Sequence, residues 1–210
     1  HEPGSQVIMG ERFQQFGFDQ GVAVLRKLSL EPSTARFVAT KLVRHFVADD
    51  PPLAMVDRVA KVFLDSGGNL PAVHTALVQS PEPWLVPLAK YKTPEEFVIS
   101  THRAFDHVPR RMKTVIGALE QMGQMPLRPG SPEGWPDTAE QWGGADALYK
   151  RIEWANAVAQ QAGSRQNPLD IGEMSLGANF SENTRMAIKR AESVVQGTTL
   201  LLASPDFQRR

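Results

Sequence analysis

STARFVATKLVRHFV, residues 33–47, decides the fold, because no other stretch of the chain joins so clean a helical period to so much charge. At about 100° per residue, Ala35, Val38, Ala39, Leu42, Val43, Phe46 and Val47 fill roughly half of the helical circumference, the width of a face that packs on a core. Arg36 falls inside that arc, between Val43 and Val47, while Thr40, Lys41, Arg44 and His45 take the rest of the surface. A cation therefore stands where a core residue is expected.

The same period recurs on both sides of this stretch. Over residues 19–30, Val22, Leu25 and Leu28 repeat at threes, and Pro32 is expected to end that helix before Ser33 caps the next. Asp50 followed by Pro51 reads as a cap with a first-turn proline, opening a helix whose apolar face runs from Leu53 to Leu64 and stops at Gly67 and Gly68. Asn69 caps a further helix. Thr93, Pro94, Glu95 and Glu96 form a capping box, since the Thr93 hydroxyl can accept from the Glu96 amide while the Glu96 carboxylate reaches back. Another helix is expected from Pro109 to Gly123, and one over residues 145–162 with Leu148, Ile152, Ala155 and Ala159 inward. Residues 163–177 read as irregular, and Ser181 caps a last helical region that runs to Leu202.

Alternating segments are short, and neither Asn-Gly nor Asp-Gly occurs to turn a hairpin. The expectation is an all-α fold, an irregular bundle of about 7–9 helices in a single domain over residues 1–210. Residues 1–18 form an irregular lead-in. Residues 124–144, QMPLRPGSPEGWPDTAEQWGG, cannot be a regular element, and they are long for an idle connection. Burying Trp135 and Trp142 offsets the entropy of ordering such a loop, so both are expected to pin it in place. Residues 77–84, LVQSPEPW, and 201–208, LLASPDFQ, share a helix end followed by Ser-Pro-acid, which is one capping solution used twice.

Lys plus Arg and Asp plus Glu both number 23, so no chain-wide field recruits nucleic acid or an anionic membrane, and basic and aromatic residues do not interleave. No apolar run reaches the 18 or more residues that span a bilayer. Cysteine is absent, which excludes disulfides and thiolate chemistry and leaves the compartment undetermined. The five histidines, at 1, 45, 74, 102 and 107, make no i, i+4 pair, so no metal or other cofactor is expected. No nucleophile elbow or phosphate-binding glycine loop occurs, and no catalytic residue is assigned.

PSTARFVATKLVRHFV, the two prolines after Asp49-Asp50, LVQSPEPW, GWPDTAEQW and the closing LLASPDFQRR, five motifs in order, resemble the bacterial family known as domain of unknown function 1800. The resemblance covers nearly the whole chain. It implies a C-terminal part of a longer protein, with a substantial region ahead of His1, and a periplasmic or secreted location that the sequence itself leaves unknown. A co-encoded exported protein is the partner it suggests. It implies no reaction.

Two readings of function follow. In the first, the chain is a structural or interaction domain packing on the upstream region of its own polypeptide or on that co-encoded partner, and this fragment alone is not expected to be an enzyme. In the second, the basic set Arg36, Lys41, Arg44 and His45 joins Trp135, Asp137 and Trp142 in a cleft between helix 33–47 and loop 124–144, which binds or hydrolyses a cell-envelope carbohydrate or polymer. A buried Arg36 needs a carboxylate partner, expected to be Asp137, with Glu153 and Glu96 as rivals.

Overall fold

The computed structural model describes residues 4–85, 88–163 and 166–210. Among the described residues there are ten α-helices of eight residues or more and three of four residues, slightly more than the sequence suggests, and one two-stranded sheet. The fold is all-α. The chain divides into two compact units, residues 1–87 and 88–210.

The first unit opens with a hairpin, β1 (Gln6–Ile8) and β2 (Glu11–Phe13), antiparallel with Val7 opposite Arg12. Met9 and Gly10 turn it with φ of 51° and 81°. Positive φ at both central residues is what a tight hairpin turn demands. A lead-in expected to be irregular is therefore a hairpin, hidden because three-residue strands show no period and methionine is a poor signal for such a turn. Helices α1 (Phe18–Ser29), α2 (Pro32–Phe46), α3 (Leu53–Asp65), α4 (Leu70–Gln79) and α5 (Glu82–Leu85) follow. Pro32 does not close α1. Glu31, held extended as a residue before proline must be, is the N-cap of α2, and Pro32 starts it where a missing N–H costs nothing.

Ala35, Ala39, Val43 and Val47 form the buried stripe of α2, packed with Val56, Val59 and Phe63 of α3 and Val73 and Leu77 of α4. Two alanines one turn apart let the α3 backbone come close. Asp50 is not the cap of α3, whose N-cap is Pro52 without a side-chain bond. Asn69 does cap α4, accepting from the Ala72 amide at 3.1 Å.

The second unit holds α6 (Pro94–Ala104), α7 (Met112–Gln121), α8 (Ala139–Trp142), α9 (Ala145–Ala162), α10 (Pro168–Leu176), α11 (Glu182–Lys189), α12 (Val194–Ala203) and α13 (Pro205–Gln208). The capping box of α6 forms as read, with Thr93 N–H donating to Glu96 at 2.8 Å and Glu96 N–H to the Thr93 hydroxyl at 3.3 Å. Three readings are corrected. Residues 139–142, inside the stretch expected to hold no regular element, are the one-turn helix α8. Residues 168–176, expected to be irregular, are α10, opened by the Asn167 cap and Pro168 at the first turn. The last helical region is broken after Lys189, and the Ser193 hydroxyl restarts it by accepting from the Gln196 amide.

Phe97 and Val98 of α6, Leu119 of α7, Ala155 of α9, Leu202 of α12 and Phe207 of α13 make one core, with Ile171, Phe180, Ile188 and Leu201 beside it. The unit is closed by its own ends. Lys90 and Arg210 exchange backbone hydrogen bonds of 3.2 and 2.9 Å, and the Lys92 amide donates to the Gln208 carbonyl at 2.8 Å.

Candidate functional site

The basic residues of α2 go to separate partners. Arg36 lies in the arc of the core stripe yet its side chain is 57% exposed, and its Nη1 donates to Asp57 of α3 at 2.5 Å. This corrects the expected burial and the expected partner, since Asp57 stands in the place given to Asp137, Glu153 or Glu96. The long stem of Arg36 lets a residue on the core arc carry its guanidinium out to water beside Asp57. Such an exposed pair contributes about 0–1 kcal/mol. Arg44, half-buried, donates from Nε to the Asp49 carbonyl at 3.2 Å, just past the end of its own helix. Lys41 is also half-buried, and His45 is exposed with its ring edge-on to Phe46 at 4.7 Å.

The tryptophan loop packs upon itself. Trp142 is 6% exposed and its indole N–H donates to the Pro136 carbonyl at 2.9 Å. Trp135, half-buried, lies 6.2 Å from it with the rings inclined at 49°. Asp137 is half-buried, and its backbone carbonyl accepts from Lys90 Nζ at 2.5 Å. At the loop's start, buried Gln124 accepts from the Glu95 amide at 2.8 Å, tying the loop to the first turn of α6.

That lysine belongs to a feature absent from the sequence reading, a layer of buried cations. Arg151 is only 1% exposed, Lys90 4% and Lys92 9%. On α9 the buried positions are Arg151, Ala155 and Ala159, while Leu148 and Ile152 are each more than a third exposed, so the inward face is turned by one residue from the expected one. Arg151 donates from Nη1 to Gln208 Oε1 at 2.8 Å and from Nη2 to the Lys92 carbonyl at 2.7 Å, with its guanidinium 4.6 Å from the Tyr91 ring centre. It thus fastens α9 to the end of α13 and to the segment ahead of α6 through neutral acceptors. The available signal is that Arg151 precedes the two alanines at i, i+4, i+8, and its charge argues against reading it as part of their face.

Lys92 is held differently. Its Nζ stands 4.2 Å over the face of Phe207 and, among the described residues, makes no hydrogen bond and no ion pair. Burial lowers its pKa to about 8, with the Glu96 carboxylate opposing the shift and Arg151 adding to it. Glu96 is already engaged, one oxygen by the Thr93 amide and the other by Arg210 Nε at 2.6 Å.

Two cavities flank α6. The larger, about 630 Å³, is lined by the charged residues Lys92, Glu96, Arg103 and Arg210 and by the apolar residues Ile99, Leu176 and Phe207, among others. The smaller, about 460 Å³, takes His102, His107, Arg110 and Arg111 in its wall. The two imidazole rings are 5.6 Å apart, and burial, then His107, lowers the pKa of His102. Its neutral form is therefore favoured there. Among the described residues no three His, Cys, Asp or Glu side chains come together as a metal site, and no helix is long and apolar enough to cross a membrane.

With this geometry in hand, comparison places the chain in a family. It belongs to the family described as protein of unknown function (DUF1800), which matches residues 1–209. No curated protein and no solved structure matches the chain.

Proposed function

We propose that this chain is an interaction domain, and that its N-terminal segment is the surface that docks. The observation that carries this reading is the exposure of six large apolar side chains in residues 7–25: Val7 at 61%, Ile8 at 36%, Met9 at 73%, Phe16 at 75%, Phe18 at 86% and Leu25 at 68%. On α1, Phe18 and Leu25 are exposed and share a helical stripe with the half-buried Val22, while Gln20 is the buried residue of the helix. Leaving such side chains in water forgoes roughly 1.5–3 kcal/mol each, so a cover that buries several would be held firmly.

The occupant we commit to is polypeptide of the same chain lying ahead of residue 1. The exposed stripe stands within the first thirty residues, so a segment joined there meets it with little loop-closure entropy. The alternative polymer site is less well supported. Trp142 is buried with its indole N–H spent within the loop, which leaves Trp135 as the single part-exposed indole of that loop on which a sugar ring could stack.

The test compares residues 1–210 with the same polypeptide carrying the upstream region that this proposal invokes. Residues 1–210 alone should bind an apolar fluorescent dye, Phe18→Ser with Leu25→Ser should reduce that binding, and the extended chain should bind little and protect the amides of residues 18–29 from exchange. If the extended chain exposes the same amides and binds the dye equally, the proposal fails.

A further inference from the structure

The cavity beside Lys92 lies wholly within the second unit and has no part in the docking reading. We infer that it is a binding site for an amphiphilic anion, a carboxylate or phosphate head on an apolar body. Lys92 carries the head-group end of the argument. Lys92 as a whole residue is 9% exposed, and its ammonium lines a cavity of about 630 Å³, rests on an aromatic face and has no hydrogen bond or ion pair among the described residues. Aromatic contact returns only part of what desolvating such a charge costs. An anion entering the cavity supplies the missing partner.

The surrounding charges favour that sign. Lys92, Arg103 and Arg210 face the space with Glu96 and Asp106 against them, and Arg151 lies behind Lys92, so cations predominate. Glu96 is occupied by the Thr93 amide and Arg210, and it is the group that keeps Arg210 in place at the rim. Beside the cations, Ile99, Leu176 and Phe207 add apolar surface to the lining. The volume falls within the range of pockets that take small ligands, and the combination of apolar lining with one well-placed charge is their usual chemistry.

The test is isothermal titration of residues 1–210 with octanoate, octyl phosphate, octanol and octylammonium, probes with one tail and four heads. Octanoate or octyl phosphate should bind saturably, at least about tenfold more tightly than octanol, and octylammonium should be the weakest. Which anion binds better tells a carboxylate site from a phosphate site. Affinity should fall as the pH rises past about 8, where Lys92 loses its proton. Lys92→Met should remove the preference for anions and Lys92→Arg should retain most of it. Absence of anion binding, or equal affinity for octanoate and octanol in the unmodified chain, overturns the inference without recourse to any variant.

Discussion

Replacing Lys92 by methionine should make the protein more stable at neutral pH. Lys92 is 9% exposed and its pKa is lowered from 10.5 to about 8, chiefly by burial. A difference of roughly 2.5 units corresponds to about 3 kcal/mol by which folding disfavours the charged form. A depressed lysine releases its proton in the folded state first, so between about pH 8 and 10.5 the unfolded chain binds more protons and stability rises with pH. Below pH 8 both states are charged and the whole cost is present. Methionine removes the charge and retains much of the stem, while the contact with Phe207 loses about 1 kcal/mol. A net gain of about 2 kcal/mol at pH 7 follows, shrinking toward zero or below as the pH approaches 10.5.

The assay is urea unfolding followed by tryptophan fluorescence, because Trp154 packs against Phe97 at 5.2 Å in the same core. Wild type and variant are compared at pH 7 and at pH 10, so that contributions of all other titrating groups cancel in the difference. A variant less stable than wild type by more than about 1 kcal/mol at pH 7, or a difference that does not shrink at high pH, refutes the reasoning that the buried charge is a cost to folding.

Arg151→Met should act in the opposite direction, with a loss of about 2–5 kcal/mol in the same unfolding experiment. It strips the Gln208 side chain and the Lys92 carbonyl of their donor in a buried setting. Gly172→Ala should cost about 1–3 kcal/mol, because an added Cβ would come within 2.5 Å of the Phe180 ring. Phe180→Leu in the same chain should return part of that loss, and a Gly172→Ala protein as stable as wild type would show that the contact yields freely.

Much of the fold is legible in the residues because it depends on neighbours close in sequence. The α2 stripe Ala35, Ala39, Val43, Val47 is a period. The Thr93–Glu96 capping box and the Asn69 cap each close within three residues, and both form as read. Where two local rules compete, the sequence is ambiguous. Pro32 can end one helix or begin the next, and it begins α2 because the extended Glu31 before it serves as the cap. The Asn167-Pro168 start of α10 obeys the same rule and is obscured by the glycines around it.

The candidate sites divide along a different line. That Trp142 would be buried follows from the apolar area of an indole in a loop rich in proline and glycine, and composition alone suffices for it. The partner of Arg36 does not follow, because its long stem lets a residue on the core arc place its charge in water beside Asp57. Arg151 and Lys92 are the converse. Charged residues are assigned to the surface by their cost of desolvation, and only the assembled second unit decides otherwise. Gln208 and the Lys92 carbonyl, 57 and 59 residues from Arg151, come together to satisfy its guanidinium. The face of Phe207 takes Lys92, which is 115 positions earlier in the chain. Sequence determined most of the helices, the Asn69 and Thr93–Glu96 caps and the α2 stripe, because those energies are local; the tertiary structure alone decided which face of α9 turns inward and which cations are buried, because their solvation is replaced by groups distant in the chain.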